Sequence, residues 1–171
     1  MTPPLFGITG WKNSGKTTLM VRLIGELTRR GYAVSVIKHA HAGFEIDHQG
    51  RDSFKMREAG AREVALSSPR RFALMRELGD APEMKFEEVL VHIGPCDVIL
   101  VEGFKREPFP KIEIRRDGAA SREALHEEFP QIVAIASDRP ETEGGSLPTF
   151  YLDDIKSIAD FVVGTLGLKQ P

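Results

Sequence analysis

The chain has 171 residues, 23 lysines and arginines against 25 aspartates and glutamates, and an apolar fraction of 41%. That is enough for one ordinary core, and the near balance of charge excludes a nucleic-acid binder working through a general basic surface. The single cysteine, Cys96, excludes an intramolecular disulfide and a thiolate cluster; lying between Pro95 and an apolar run, it reads as a buried structural thiol. No stretch approaches the ~18 apolar residues of a membrane span, and the first residues lack a charged-then-apolar leader, so a cytoplasmic protein without membrane contact is expected.

Leu5 to Thr9 reads as a short buried strand, and Thr17 to Arg30 as an amphipathic helix with Leu19, Met20, Leu23, Ile24 and Leu27 on one face. Between them stands Gly10-Trp11-Lys12-Asn13-Ser14-Gly15-Lys16-Thr17, a complete match to G-x-x-x-x-G-K-[ST]. Glycines at both ends let successive backbone N–H groups turn inward toward phosphate oxygens, and the helix N-terminus adds its positive dipole end. Lys16 would reach the β- and γ-phosphates, and the Thr17 hydroxyl would ligate Mg²⁺. The motif predicts binding of a nucleoside triphosphate, with Gly10 through Thr18 holding it.

Ala33 to Lys38 reads as the next strand. The segment after it carries His39, His41, Asp47, His48 and Asp52 without periodicity, a long loop at the ligand end of the sheet. Such a loop suits phosphate sensing; a transition-metal site is the alternative, weakened by the lack of soft ligands and of a rigid element. The roles of His39, His41 and His48 stay open. Arg51 to Ala59 reads as a short helix. Arg62 to Ser67 and Arg70 to Arg76, separated only by Ser68-Pro69, are too close for a parallel crossover and predict an antiparallel hairpin.

Phe86, Val89, Leu90 and Ile93 mark a helix closed by Gly94, and Val98 to Val101 is the uniformly apolar pattern of a central strand. A P-loop protein needs a carboxylate near the cation. Asp97 lies at the wrong end of its strand, whereas Glu102 lies at the P-loop end with Gly103 leaving room beside it, so Glu102 is expected with Thr17 in the Mg²⁺ shell. Lys111 to Arg115 alternates and reads as a more exposed strand, with the hairpin one of two candidate sheet edges. Phe104 and Phe109 in the proline-rich loop before it are expected at a subunit boundary. Ile132 to Ala136 is another buried strand. Asp138 just after it could accept hydrogen bonds from the N1–H and N2–H₂ of guanine, groups adenine does not offer, or be a turn residue before Pro140. Thr149 to Leu152 and a helix striped by Ile155, Ile158, Ala159, Val162 and Leu166 complete the chain. The whole, residues 1–171, reads as a single α/β nucleotide-binding domain: a mostly parallel twisted sheet with helices on both faces and an antiparallel hairpin.

The segments GWKNSGKTTL, IKHAHAGFEIDHQGRDSFKMREAGA and ILVEGFK followed by PKIEI resemble one family, the molybdopterin-guanine dinucleotide biosynthesis adaptor proteins, MobB. The resemblance covers residues 5 to 152 and implies a P-loop protein that binds GTP with Mg²⁺, hydrolyses it weakly and assists the guanylyltransferase that attaches GMP to molybdopterin. It also implies a homodimer with part of the sheet shared, and leaves direct binding of molybdopterin open. By position, Lys16 and Glu102 would be the residues of any hydrolysis, and Asp47 with Asp52-Ser53 would belong to a loop over the nucleotide. Where the family commonly has Pro-Gly-Lys-Asp-Ser this chain has Gln49-Gly50-Arg51-Asp52-Ser53, which loosens the loop entry. Val101-Glu102-Gly103 also looks like a segment of dethiobiotin synthetase, so an ATP-dependent small-molecule kinase or ligase is the competing reading; a metallochaperone GTPase rests on the histidines alone.

Overall fold

The computed structural model describes residues 2–40, 44–143 and 145–171, so His41 lies outside the described residues. The chain separates into two compact units, one of residues 1–39 and 93–171 and one of residues 40–92.

The larger unit is built on a six-stranded parallel sheet. Its strands are β1 (Leu5–Gly10), β2 (Val34–Lys38), β5 (Val98–Glu102), β6 (Lys111–Arg115), β7 (Ile132–Ser137) and β8 (Thr149–Tyr151), in the order β2-β5-β1-β6-β7-β8. Strand residues alternate between two faces. On one face, Phe6, Ile8, Val98, Leu100, Ile112, Ile114, Ala134 and Ala136 meet Leu19, Met20, Leu23 and Leu27 of α1 (Lys16–Arg29) and Ile158, Ala159 and Val162 of α4 (Ile155–Leu166). The 3.6-residue spacing of those apolar side chains is what makes each helix one-sided. Asp154 caps α4, its side chain accepting from the Ser157 N–H, and Gly167 ends it at φ 60°. Both helices of this unit therefore share one face.

On the other face the polar strand side chains are met by loop backbone and by the short 3-10 turn Leu125–Glu127. Lys111 Nζ donates to the carbonyls of Glu107 and Phe109 and sits 3.6 Å from the centre of the Phe109 ring. Gly7 is required beneath that ring, because a Cβ there would meet Phe109 Cε2 at 2.9 Å and Lys111 Cγ at 2.5 Å. The Glu113 carboxylate accepts from the backbone N–H groups of Leu125 and His126 and from Arg115, and Arg115 in turn donates to Glu143.

Here three expectations meet the structure. Lys111–Arg115 is neither exposed nor a sheet edge: all five residues are buried, between β1 and β7. Its alternation reports a buried face whose polar groups are satisfied by loop backbone and by each other. Phe109 is buried within its own chain at 6% exposure, which speaks against its place at a subunit boundary, whereas Phe104 is half-buried and stacks against His39 with ring centres 4.8 Å apart. Cys96 is half-buried rather than buried.

The smaller unit contains α2 (Asp52–Glu58), the antiparallel hairpin β3 (Glu63–Ser68) and β4 (Arg71–Arg76), and α3 (Phe86–Leu90). The hairpin is as expected, and the Ser68 hydroxyl accepts from the Arg71 N–H across the turn. Asp52 and Ser53 open a helix rather than extending a loop. Phe72 and Leu74 lie on one face of the hairpin, exposed by 68% and 41%.

Candidate nucleotide site

The P-loop owes its path to three backbone positions. Gly10 at φ 151° leaves no room for a Cβ, which would meet Ser14 Oγ at 2.7 Å and the Ile114 carbonyl at 2.8 Å. Asn13 is left-handed at φ 65°, and Gly15, at φ 92°, is the N-cap of α1. That cap makes no side-chain hydrogen bond and the first turn holds no acid, so the N–H groups that open the helix keep their positive potential. Ser14 Oγ is buried without a hydrogen-bond partner inside the loop. An orphaned buried hydroxyl beside an uncapped helix N-terminus is the polarity that an anionic ligand satisfies. The loop is braced from outside: the Trp11 indole donates to the Glu123 carbonyl at 3.0 Å, the Ala120 N–H donates to the Lys12 carbonyl at 2.8 Å, and Lys105 lies over the Trp11 ring.

Lys16 is folded onto its own loop, donating to the carbonyls of Trp11 at 2.7 Å and Gly10 at 3.1 Å. Burial pushes its pKa down, and the nearby Glu102 opposes that shift. Thr17 Oγ1 lies 3.2 Å from Glu102 Oε2, and Glu102 is buried at the P-loop end of β5. The two residues that the sequence assigns to the cation thus stand side by side. Gly103, at φ 94°, is needed because a Cβ there would strike that of His39 at 2.6 Å. Asp97, at the far end, instead accepts from the Ala33 N–H at 2.7 Å.

One residue of this cluster was not legible in advance. Lys38 ends β2 directly opposite Glu102, and its ammonium is 3.3 Å from Glu102 Oε1 and 3.2 Å from Thr17 Oγ1. Only the strand register brings it there, and register is not written in local spacing.

Beside the P-loop is a cavity of about 340 Å³ lined by Ser14, Gly15, Thr18 and Arg22, by Arg116 and Asp138, and by Tyr151 to Asp153. Its volume is in the range of small-molecule sites. Arg116 reaches over the loop, its Nη1 3.7 Å from where a Gly15 Cβ would stand. Asp138 is held rather than loose: Oδ2 accepts from the Asp117 N–H at 2.7 Å, and Oδ1 from Arg122 at 3.0 Å. Arg122 also grips Glu143, whose pKa is lowered by the Ser137 hydroxyl and Arg115 against the cost of burial.

Of the remaining expected site residues, Asp47 lies in the smaller unit, where one carboxylate oxygen is 3.0 Å from Arg57. Among the described residues no three His, Cys, Asp or Glu side chains are grouped so as to hold a metal ion, which leaves the transition-metal reading of the histidine segment without a described site. Among the described residues no helix is long and apolar enough to cross a membrane.

The family model for molybdopterin guanine dinucleotide synthesis protein B, MobB, matches residues 5–138. The chain belongs to the MobB family. It is 38% identical to the molybdopterin-guanine dinucleotide biosynthesis adapter protein of Escherichia coli (strain K12), over 94% of this chain and 91% of that one. It is 40% identical to the protein of the same name from Haemophilus influenzae, over 93% and 87%. The crystal structure of Bacillus subtilis MobB superimposes with a TM-score of 0.73 at 28% identity, covering 98% of this chain and 99% of that one. The P-loop NTPase-like α/β fold is thus common to this chain and its relatives.

Proposed function

We propose that this MobB-family protein is a GTP-binding adapter that assists attachment of GMP to molybdopterin, acting with the guanylyltransferase of that pathway. The observation that carries the reading is the conjunction of a complete P-loop with a cavity whose far wall presents an anchored aspartate. Gly10 through Thr18 would hold the phosphates, and Asp138 would read the base. Its ionised carboxylate has about four lone-pair sites, of which Asp117 and Arg122 use two. Thr17 and Glu102, both hard oxygen donors, fit Mg²⁺, which when bound would neutralise phosphate charge.

Among the described residues no positioned nucleophile or water-orienting glutamine stands beside the loop, which supports slow hydrolysis and a carrier or switch role over a fast enzyme. A homodimer formed through the hairpin of the smaller unit belongs to the same proposal: a two-stranded sheet leaves its outer edges unpaired, and Phe72 and Leu74 add apolar surface that a second copy would cover.

Calorimetric titration with GTP and ATP, each with Mg²⁺, tests the reading. GTP is expected to bind, and Lys16→Ala or Thr17→Ala to weaken it at least tenfold with unchanged thermal unfolding, since a charge-assisted phosphate contact is worth about 1.5–3 kcal/mol. Unchanged affinity in Lys16→Ala overturns the P-loop assignment. Equal affinity for ATP and GTP favours the kinase reading instead.

A further inference from the structure

At the cation end of the P-loop three side chains converge, of which the motif accounts for Thr17 alone. Thr17 Oγ1 and Glu102 Oε2 are 3.2 Å apart, and the Lys38 ammonium is within 3.3 Å of both residues. These are the two oxygen donors that the proposed reading gives to Mg²⁺, and the inference rests on that reading. Lys38 is not there by accident of rotamer. It is the register partner of Glu102 across two neighbouring parallel strands, so the two side chains leave the sheet on the same face. Two further cations act there: burial first, and then Lys105 and Lys38, depress the pKa of Lys16, while the Glu102 carboxylate opposes the shift.

We infer that Lys38 is a built-in rival of the divalent cation: its ammonium competes with Mg²⁺ for Glu102 and Thr17, and so sets how strongly nucleotide binding depends on the metal. The physical argument is one of mutual exclusion. A singly charged ammonium and a doubly charged ion cannot share one carboxylate oxygen at contact distance without strong repulsion. Mg²⁺ demands close oxygen ligands, so the ammonium is the group that yields. Lys38 is able to yield, because its side chain is half-exposed and carried on a flexible four-carbon stem. With no divalent ion present, the same ammonium supplies positive charge beside the phosphate cradle. Lys38 is therefore a positioning residue of the cation site, and it acts on affinity in opposite directions with and without metal.

The experiment compares wild type, Lys38→Met, which keeps the stem and removes the charge, and Lys38→Arg, which keeps the charge. GTP affinity is measured by calorimetry in EDTA and at saturating Mg²⁺, and the midpoint of divalent binding to the GTP-loaded protein is read by electron paramagnetic resonance with Mn²⁺ as the probe. In Lys38→Met, GTP affinity in EDTA is expected to fall by about tenfold and Mn²⁺ affinity to rise by about tenfold, the size of one charge-assisted contact. Lys38→Arg is expected to stay within about threefold of wild type in both, a change well below one such contact. A Lys38→Met protein whose Mn²⁺ midpoint is unchanged or weaker overturns the inference while leaving the nucleotide reading intact. Absence of GTP binding in wild type under both conditions removes the nucleotide reading, and this inference with it. Circular dichroism melting of each variant keeps a folding defect from passing as a result, and Lys38→Gln, with the same expected signs, replaces Lys38→Met if that variant melts early.

Discussion

Asp138 shows how one side chain can satisfy a structural and a functional account together. It caps the Asp117 N–H and pairs with Arg122, which by themselves would make it a turn residue, yet it also lines the cavity beside the P-loop. Asp138→Asn keeps the shape and replaces a double acceptor with a mixed group. Discrimination of GTP over ATP is expected to fall by roughly 1.5–3 kcal/mol, on the order of tenfold to a hundredfold, measured as the ratio of the two dissociation constants. A ratio that stays put would mean that the base is read elsewhere. Glu102 was found from strand polarity alone, because parallel strands put their carboxyl ends on the ligand side. Lys38 and Arg116 were not found, since each reaches the site through a strand pairing or loop path that no local pattern encodes.

Strand β6 is where element-level reading failed, and the reason is physical. Alternation of polar and apolar residues marks one wet face only when that face meets water. Here Lys111, Glu113 and Arg115 meet loop carbonyls, loop N–H groups and one another, so the same pattern serves a strand buried on both sides. Burial lowers the Lys111 pKa to about 8 from an ordinary 10.5, with Glu107 pulling the other way. Between those two values the unfolded chain binds more protons than the folded one, so this group makes stability rise as pH climbs from about 8 to 10.5, and withdraws that contribution as pH falls through 8. Denaturant titrations across that interval should show a steeper rise for wild type than for Lys111→Met; parallel curves would show that Lys111 stays charged in the fold. Phe109 belongs to the same element's cover. The strand β5 and helix α1, by contrast, were legible almost to the residue, because continuous apolar runs and 3.6-residue stripes survive whatever packs on them.

At the scale of the molecule, the mostly parallel sheet followed from helices interleaved with buried strands, and the hairpin from connection length, since the two residues at Ser68-Pro69 forbid a crossover. The division into two compact units did not, since residues 40–92 carry no linker composition at either end. With β6 internal, the case for a dimer rests on the hairpin. Light scattering at micromolar concentration is expected to give a dimer, and Phe72→Asp to shift it toward monomer without loss of GTP binding. A wild-type monomer throughout that range would leave the hairpin's apolar face for the partner enzyme.

The order of the strands along the sheet has a further consequence, for how the chain finds its fold. The central strand β1 pairs with β5 and β6, so Phe6 must meet Leu100, and Ile8 must meet Ile112, across most of the chain. Such contacts repay their loop-closure entropy only late, because each needs a large intervening segment to be gathered in first. The P-loop sits at the end of that same β1, while Glu102 arrives on β5 and the wall of the neighbouring cavity on β7 and β8. The high sequence separation of these contacts predicts slow folding, and a ligand spanning those strands at the proposed site would hold together the contacts with the highest loop-closure cost.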